Sequence, residues 1–381
     1  MTRTALIGAA ILAVDGVHQG AALLINEGEI EAIIEQDAVP SGSELCHLDG
    51  GWLVPGFIDT QVNGGGGLLF NDRPDVETIA GIAAAHRRFG TTGLLPTLIS
   101  DDAETIERAI SAIDAAIAAN VPGVLGIHIE GPFINRDRRG IHAERYVREL
   151  GQKEMSVLTR PTRGIRLVTL APETVAPGTI AALREAGILV AAGHSAADYE
   201  TTLHALNEGL DGFTHLFNAM TPFASRAPGM VGAALEDRKA YFGLIIDGKH
   251  VHPAALRVAL AARGIEGAML VTDAMPTAGT DMSHFELQGR SIRVQDGTLL
   301  GEDGTLAGSS LTMDLALRNA MAMLDLDLAD ASRLASGNPA SFLRMSGTRG
   351  SIKPGLAADI VHLDADYRVN RVWIGGRMLA S

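Results

Sequence analysis

The chain has 381 residues, of which 46% are apolar and 20% charged, enough for a sizeable core and too apolar for intrinsic disorder as the main state. Its net charge of −14 argues against a general nucleic-acid or anionic-membrane surface. The single cysteine, Cys46, excludes an intrachain disulfide and fits a reducing compartment, so a cytoplasmic location is expected. No apolar run approaches the ~20 residues that a membrane-spanning helix needs.

The first segment is β-rich. Ala5–Val14, Ala21–Ile25 and Ile30–Ile34 read as strands, with turn residues at Asp15-Gly16 and Asn26-Glu27-Gly28. Arg3 ahead of the first run is too little positive charge for a secretory leader, and no cleavage site follows, so a strand is expected there. From residue 54 to 350 strand-like and helix-like stretches alternate. The candidate strands are Val54–Val62, Gly93–Leu98, Val124–Ile129, Ile165–Leu170, Ile188–Ala192, Gly212–Leu216, Tyr241–Ile246 and Ala268–Thr272. Between several of them lie helical stretches: Val76–Phe89, Ala103–Ala119, Thr179–Ala186, Asp198–Glu208 and Pro253–Arg263. This alternation predicts an α/β fold, a (β/α)8 TIM-like barrel. An open doubly wound sheet is the main alternative. The Gly-rich run Asn63–Gly67 lacks the spacing of a nucleotide-binding loop and reads as a flexible connection. After the barrel, Asp359–Leu363 and Arg371–Ile374 resume the β style. Residues 1–53 and 351–381 are therefore expected to form one small sheet domain, with 54–350 as the barrel.

Barrel chemistry sits where the strands end. The first strand runs into Asp59, Gln61 and Asn63. The third ends in His128-Ile129-Glu130, the fifth in Gly193-His194, the sixth in Thr214-His215, the seventh in Asp247-Gly248-Lys249-His250 and the eighth in Thr272-Asp273. Singly, a strand-end histidine is an ordinary packing residue and a strand-end aspartate an ordinary helix cap. Together they place ligand-type side chains repeatedly at one rim. One glutamate with two histidines suits a single divalent cation, Zn²⁺ or Fe²⁺, with a position left for water. Asp273, on a separate strand, is placed to accept a proton from that water and pass it on.

These residues carry a family resemblance. Leu53-Val54-Pro55-Gly56-Phe57-Ile58-Asp59 resembles the entry into the barrel of the amidohydrolase superfamily, and Gly350–Gly355 with Ala358–Val361 resembles its exit. That superfamily pairs a β/α barrel with a small β-sandwich built from both termini. Within it, the chain is most similar to the N-acetylglucosamine-6-phosphate deacetylase family. The matching segments are Gln61-Val62-Asn63-Gly64, His128–Phe133, Ala192–Ser195, Thr214–Met220, Asp247–His250, Thr272–Met275 and Leu306–Ser310. The resemblance implies that Glu130, His194 and His215 hold the metal and that Asp273 is the catalytic base, then acid. It implies that His142 polarises the acetyl carbonyl. Ile141, Gln61, Asn218, Ala219, Leu306, Ala307 and Gly308 would contact substrate, and Arg226 and His250 the phosphate, in a homodimer whose neighbouring subunit assists. The expected reaction converts N-acetylglucosamine 6-phosphate to glucosamine 6-phosphate and acetate, in amino-sugar catabolism or cell-wall sugar recycling.

The superfamily usually has His-x-His at the end of the first strand, holding a second metal. Here the slot reads Gln61-Val62-Asn63, two neutral amides on one strand face, so one metal per subunit is expected. His128 shares a face with Glu130 and is left outside the ligand set. His18, His47, His86, His204, His252, His284 and His362 are expected to be structural. Two other readings stay open: another amidohydrolase acting on a cyclic amide or an N-acyl amino acid, and a non-catalytic scaffold with this fold.

Overall fold

A computed structural model describes residues 3–379; residues 1, 2, 380 and 381 of the expected terminal domain lie outside them. Eight parallel strands make one sheet in sequence order. They are β1 (Phe57–Val62), β2 (Thr91–Ile99), β3 (Gly126–Glu130), β4 (Ile165–Leu170), β5 (Leu189–Ala192), β6 (Gly212–Phe213), β7 (Tyr241–Leu244) and β8 (Ala268–Leu270). The ring closes just past the strand ends. Asp273 N donates to Gln61 O at 3.0 Å, and Asn63 N to Ala274 O at 2.9 Å. This is the (β/α)8 barrel expected from the alternation.

Helices α1 (Val76–Arg87), α2 (Ala103–Ala118), α3 (Gln152–Thr159), α4 (Thr179–Glu185), α5 (Tyr199–Glu208), α6 (Gly229–Glu236), α7 (Pro253–Arg263) and α8 (Met313–Leu324) surround it. Their starts follow local chemistry. Asp75, Asp102 and Asp198 accept from the backbone N–H three residues on and so cap α1, α2 and α5. Helix α2 buries Ile106, Ile110 and Ile113, spaced to face one side. The strands are covered by helices, so they read as continuous apolar runs rather than alternating ones.

The terminal segments form two further sheets. One has four strands, Glu29–Glu35, Ala21–Asn26, Thr4–Ile7 and Glu44–His47 in spatial order. The other has six and joins the two ends of the chain: Ile360–Leu363 pairs antiparallel with Trp52–Pro55. Leu6, Ile11, Leu23, Leu53, Ile360 and Trp373 pack together in one buried cluster of these terminal segments.

Three sequence expectations need correction. Ala5–Val14 is two strands, Thr4–Ile7 and Ala10–Ala13, in different sheets. The break is Gly8, at φ +93°, where a Cβ would lie 2.3 Å from Leu48 O. Val54–Val62 likewise divides into Trp52–Pro55 and β1. Gly56 sits between them because a Cβ there would overlap Thr92 Oγ1 at 2.1 Å. Asn63–Gly67 is not a loose connection. Gly64–Gly65 pairs with Leu68–Leu69, and a Cβ on Gly64 would meet Leu68 O at 2.3 Å.

An antiparallel sheet inserted between β8 and α8 had no counterpart among the expected elements. Its strands are His284–Leu287, Arg290–Gln295 and Thr298–Gly301. Phe285, Leu287, Ile292 and Leu299 pack it against Ile99, Ile141 and Met275 beside the barrel mouth. Its first turn, Gln288-Gly289, has both residues at positive φ, the two-residue geometry that matches strand twist.

Candidate metal centre and active site

Glu130 is the last residue of β3, and His194, His215 and Asp273 follow β5, β6 and β8 within three residues. The latter three have left-handed backbones, φ +48°, +32° and +51°. Such conformations cost roughly 1–3 kcal/mol each in ordinary residues, a strain typical of functional sites. Here they bring three side chains to one spot. Glu130 Oε1 lies 3.2 Å from His194 Nε2 and 3.0 Å from His215 Nε2, and the two Nε2 atoms are 3.0 Å apart. All three residues are buried.

This donor set fits one divalent cation. His194 Nδ1 donates to Arg138 O at 2.9 Å, which fixes that tautomer and leaves the Nε2 lone pair facing the cluster. His215 Nδ1 has no hydrogen-bond partner among the described residues, so no contact commits its Nε2 to a hydrogen, and a cation can accept from both Nε2 atoms and the carboxylate at once. Burial by itself would raise the Glu130 carboxyl; in the cation-free cluster, where the imidazoles can take up a proton, hydrogen bonds from protonated His194 and His215 hold it well below the usual range. Burial likewise works against a charged His215, and the bond to Glu130 overcomes it and raises that imidazole.

Asp273 faces the cluster. Asn63 Nδ2 donates to its Oδ1 at 2.6 Å and Gln61 Nε2 at 3.1 Å. The same Gln61 nitrogen also donates to Glu130 Oε1 at 3.0 Å. The two amides that replace His-x-His are therefore donors to carboxylates. Burial and the Glu130 charge push the Asp273 carboxyl up to about 6. Behind it, Asp59 accepts from Gln61 N at 3.1 Å and from Thr272 Oγ1 at 2.5 Å, which ties β1 to the end of β8. Burial pushes Asp59 up to about 7.

His142 packs against His194 with ring centroids 4.5 Å apart, and burial followed by the neighbouring His194 pushes its pKa down to about 3. It is a neutral imidazole. His250 Nδ1 meets Asp247 Oδ2 at 2.6 Å; since the carboxylate only accepts, His250 donates, and among the described residues its other nitrogen makes no hydrogen bond. His128 lies deeper in the barrel, bonded to Thr169 Oγ1 at 2.7 Å, and burial pushes its pKa down to about 4. It is not part of the cluster.

A cavity of about 310 Å³ opens above the cluster, within the range of roughly 300–1,000 Å³ typical of small-molecule sites. Glu130, His194, His215, Asp273, His142, Ile141, Asn218, Ala219, His250, Leu306 and Gly308 line it. Gln61 does not; it lies behind Glu130 and Asp273. Ala307 turns into the apolar cluster beneath the inserted sheet. Arg226 lies on an exposed loop and does not line the cavity. Asp137 and Arg138, which also line it, were not singled out from sequence; they sit in a single 3-10 turn, Arg136–Arg138, several residues past the Glu130 strand end. Ser100 was missed too. It immediately follows β2, and its Oγ is 2.7 Å from His142 Nδ1.

Comparison with known proteins agrees with this architecture. The amidohydrolase family model matches residues 52–379. An N-acetylgalactosamine-6-phosphate deacetylase of Shewanella sp. (strain ANA-3) is 43% identical, the match covering 98% of this chain and 95% of that one. An N-acetylglucosamine-6-phosphate deacetylase of Haemophilus influenzae is 33% identical, covering 98% of each. The crystal structure of the N-acetylglucosamine-6-phosphate deacetylase from Pasteurella multocida superposes with a TM-score of 0.96 at 32% identity, covering all of both chains. With its closed barrel, its Glu-His-His cluster and relatives of this kind along its length, the chain belongs to the amidohydrolase family.

Proposed function

We propose that the chain is a metal-dependent hydrolase that removes the acetyl group from N-acetylglucosamine 6-phosphate. The observation that carries this reading is the convergence of Glu130, His194 and His215 opposite the buried Asp273, at the base of a cavity sized for a small molecule. Full-length likeness to deacetylases of phosphorylated amino sugars supports the substrate class. A cation held by Glu130 and the two histidine Nε2 atoms supplies, when bound, Lewis-acid polarisation of the carbonyl and a more acidic water. Asp273, poised near neutrality, takes the proton of the attacking water and returns it to the amine nitrogen as the C–N bond breaks. His142, neutral and beside the cluster, donates to the developing oxyanion. The products are glucosamine 6-phosphate and acetate.

His250 binds the phosphate within the cavity, with Asp247 orienting its ring. Arg226, exposed and outside the cavity lining, is assigned to the phosphate by the family resemblance, and a homodimer in which it serves a neighbouring copy is part of the proposal. Gln61 acts by holding Glu130 and Asp273, and Asn218, Ala219, Ile141, Leu306, Ala307 and Gly308 shape the sugar site. Zn²⁺ and Fe²⁺ both suit this donor set. The barrel of residues 54–350 carries the chemistry, and residues 1–53 with 351–381 form the accompanying sandwich. Amino-sugar catabolism or cell-wall sugar recycling in the cytoplasm is the proposed setting. Among the described residues, no helix is long and apolar enough to cross a membrane.

A second reading is favoured by one observation: at 43% identity, the Shewanella relative acts on the galactosamine epimer. The test is acetate release from three compounds: N-acetylglucosamine 6-phosphate, its 4-epimer and unphosphorylated N-acetylglucosamine. The first should react fastest and the unphosphorylated sugar poorly. Faster turnover of the epimer would shift the assignment to the galactosamine substrate. Equal turnover with and without phosphate would remove the phosphate site.

A further inference from the structure

The catalytic part assigned to His142 needs a hydrogen on the nitrogen that faces the cavity, and the structure contains a device that puts it there. Ser100 N donates to His142 Nδ1 at 3.3 Å, and Ser100 Oγ lies 2.7 Å from the same atom. A main-chain N–H can only donate. A hydrogen on Nδ1 would point at another hydrogen, so Nδ1 accepts, the Ser100 hydroxyl also donates, and the ring hydrogen resides on Nε2. Among the described residues Nε2 makes no hydrogen bond, and the ring lines the cavity.

Ser100 and His142 are in turn held by a single turn of the inserted sheet. Gln288 Nε2 donates to Ser100 O at 2.9 Å and to Asp101 Oδ2 at 3.0 Å. Arg290 Nη1 donates to Ile141 O, the carbonyl just before His142, at 3.1 Å. Arg145 Nη2 donates back to Gln288 O at 3.2 Å. Gln288 takes φ +52° to make these contacts. Neither Gln288 nor Arg290 lines the cavity. They touch the peptides on both sides of the imidazole, and their own side chains line no part of the cavity.

We propose that Ser100, Gln288 and Arg290 are positioning residues, which together hold His142 as an Nε2–H donor aimed at the acyl oxygen. The consequence for turnover rests on the deacetylase reading; the tautomer does not. Because a displacement of about 1 Å in a catalytic group can cost ~100-fold, loss of either clamp should lower kcat about 10- to 100-fold. KM and bound metal should stay unchanged, since no substrate contact or ligand is removed.

The test combines kinetics with the nitrogen NMR spectrum of histidine-labelled protein. Wild-type protein should give His142 with hydrogen on Nε2 alone. Gln288→Ala and Arg290→Ala should lose kcat at constant KM and metal content, and Arg290→Lys, which keeps a donor for Ile141 O, should recover part of the loss. Ser100→Ala should leave His142 a mixture of tautomers. A wild-type His142 protonated on Nδ1 overturns the proposal, as do normal kcat values in both alanine clamp variants. If those variants do not fold, the wild-type spectrum decides by itself. If the wild-type protein releases no acetate from any phosphorylated amino sugar, the functional reading fails while the spectrum still judges the frame.

Discussion

Asp273 is where the chemistry is most exposed to test. Its carboxyl is raised by burial and by Glu130, and the neighbouring His215 and His250, then the hydrogen bond from Asn63, keep it from rising further. Replacing it with asparagine removes the proton acceptor but no member of the Glu130–His194–His215 set. Asp273→Asn should therefore retain stoichiometric metal and lose about 10²–10⁴-fold in kcat. Near-normal turnover would take Asp273 out of the role. A base works deprotonated, so activity is lost as pH falls through its pKa. With Asp273 at about 6, and a bound cation able only to lower it, the acidic limb of kcat/KM should break at or below about pH 6. A break well above that value would point to a different base. His194→Ala should abolish metal binding outright, because two remaining ligands make a poor site; metal analysis of the purified variant checks this.

At the scale of elements, the barrel depends on close approach between its strands. Gly126 opens β3, and a Cβ there would sit 1.9 Å from Ile165 O on β4. Gly126→Ala should cost at least about 1–3 kcal/mol by overpacking, read as a lower melting temperature. It should also reduce metal occupancy, since β3 carries Glu130. An unchanged melting temperature would contradict the tight β3–β4 contact. The same scale explains what the sequence reveals. Ligand-type residues at strand ends were legible because strand periodicity and residue chemistry coincide in short segments such as His128–Glu130 and Thr272-Asp273. The split of Ala5–Val14 between two sheets was not, because two adjacent apolar strands look like one until Gly8 meets Leu48. Ser100 and Gln288 were not legible either. Their significance comes from a contact spanning the chain from β2 to the inserted sheet, and neither residue type announces it. The histidines expected to be structural include His86, bonded to Gly64 O, and His252, which caps α7, both ordinary local roles.

The whole molecule is closed by its ends. Residues near both termini pair in one sheet, and Trp373, only 2% exposed, packs into the cluster with Leu6, Ile11 and Leu53. Trp373→Ala should cost about 3–5 kcal/mol, measurable by denaturant unfolding; a loss within a few tenths of a kcal/mol would mean that the terminal sheets contribute little to stability. The barrel then serves as a ring on which the Glu130–His194–His215 cluster, Asp273, proposed as the base, and His142 face one cavity. The measurement that tests this arrangement most directly is acetate release from N-acetylglucosamine 6-phosphate, followed while metal is stripped by a chelator and then returned one equivalent at a time. The account predicts that activity vanishes on stripping and returns fully at one equivalent of Zn²⁺ or Fe²⁺ per chain. Undiminished acetate release from metal-free protein, or a requirement for two equivalents, would contradict it.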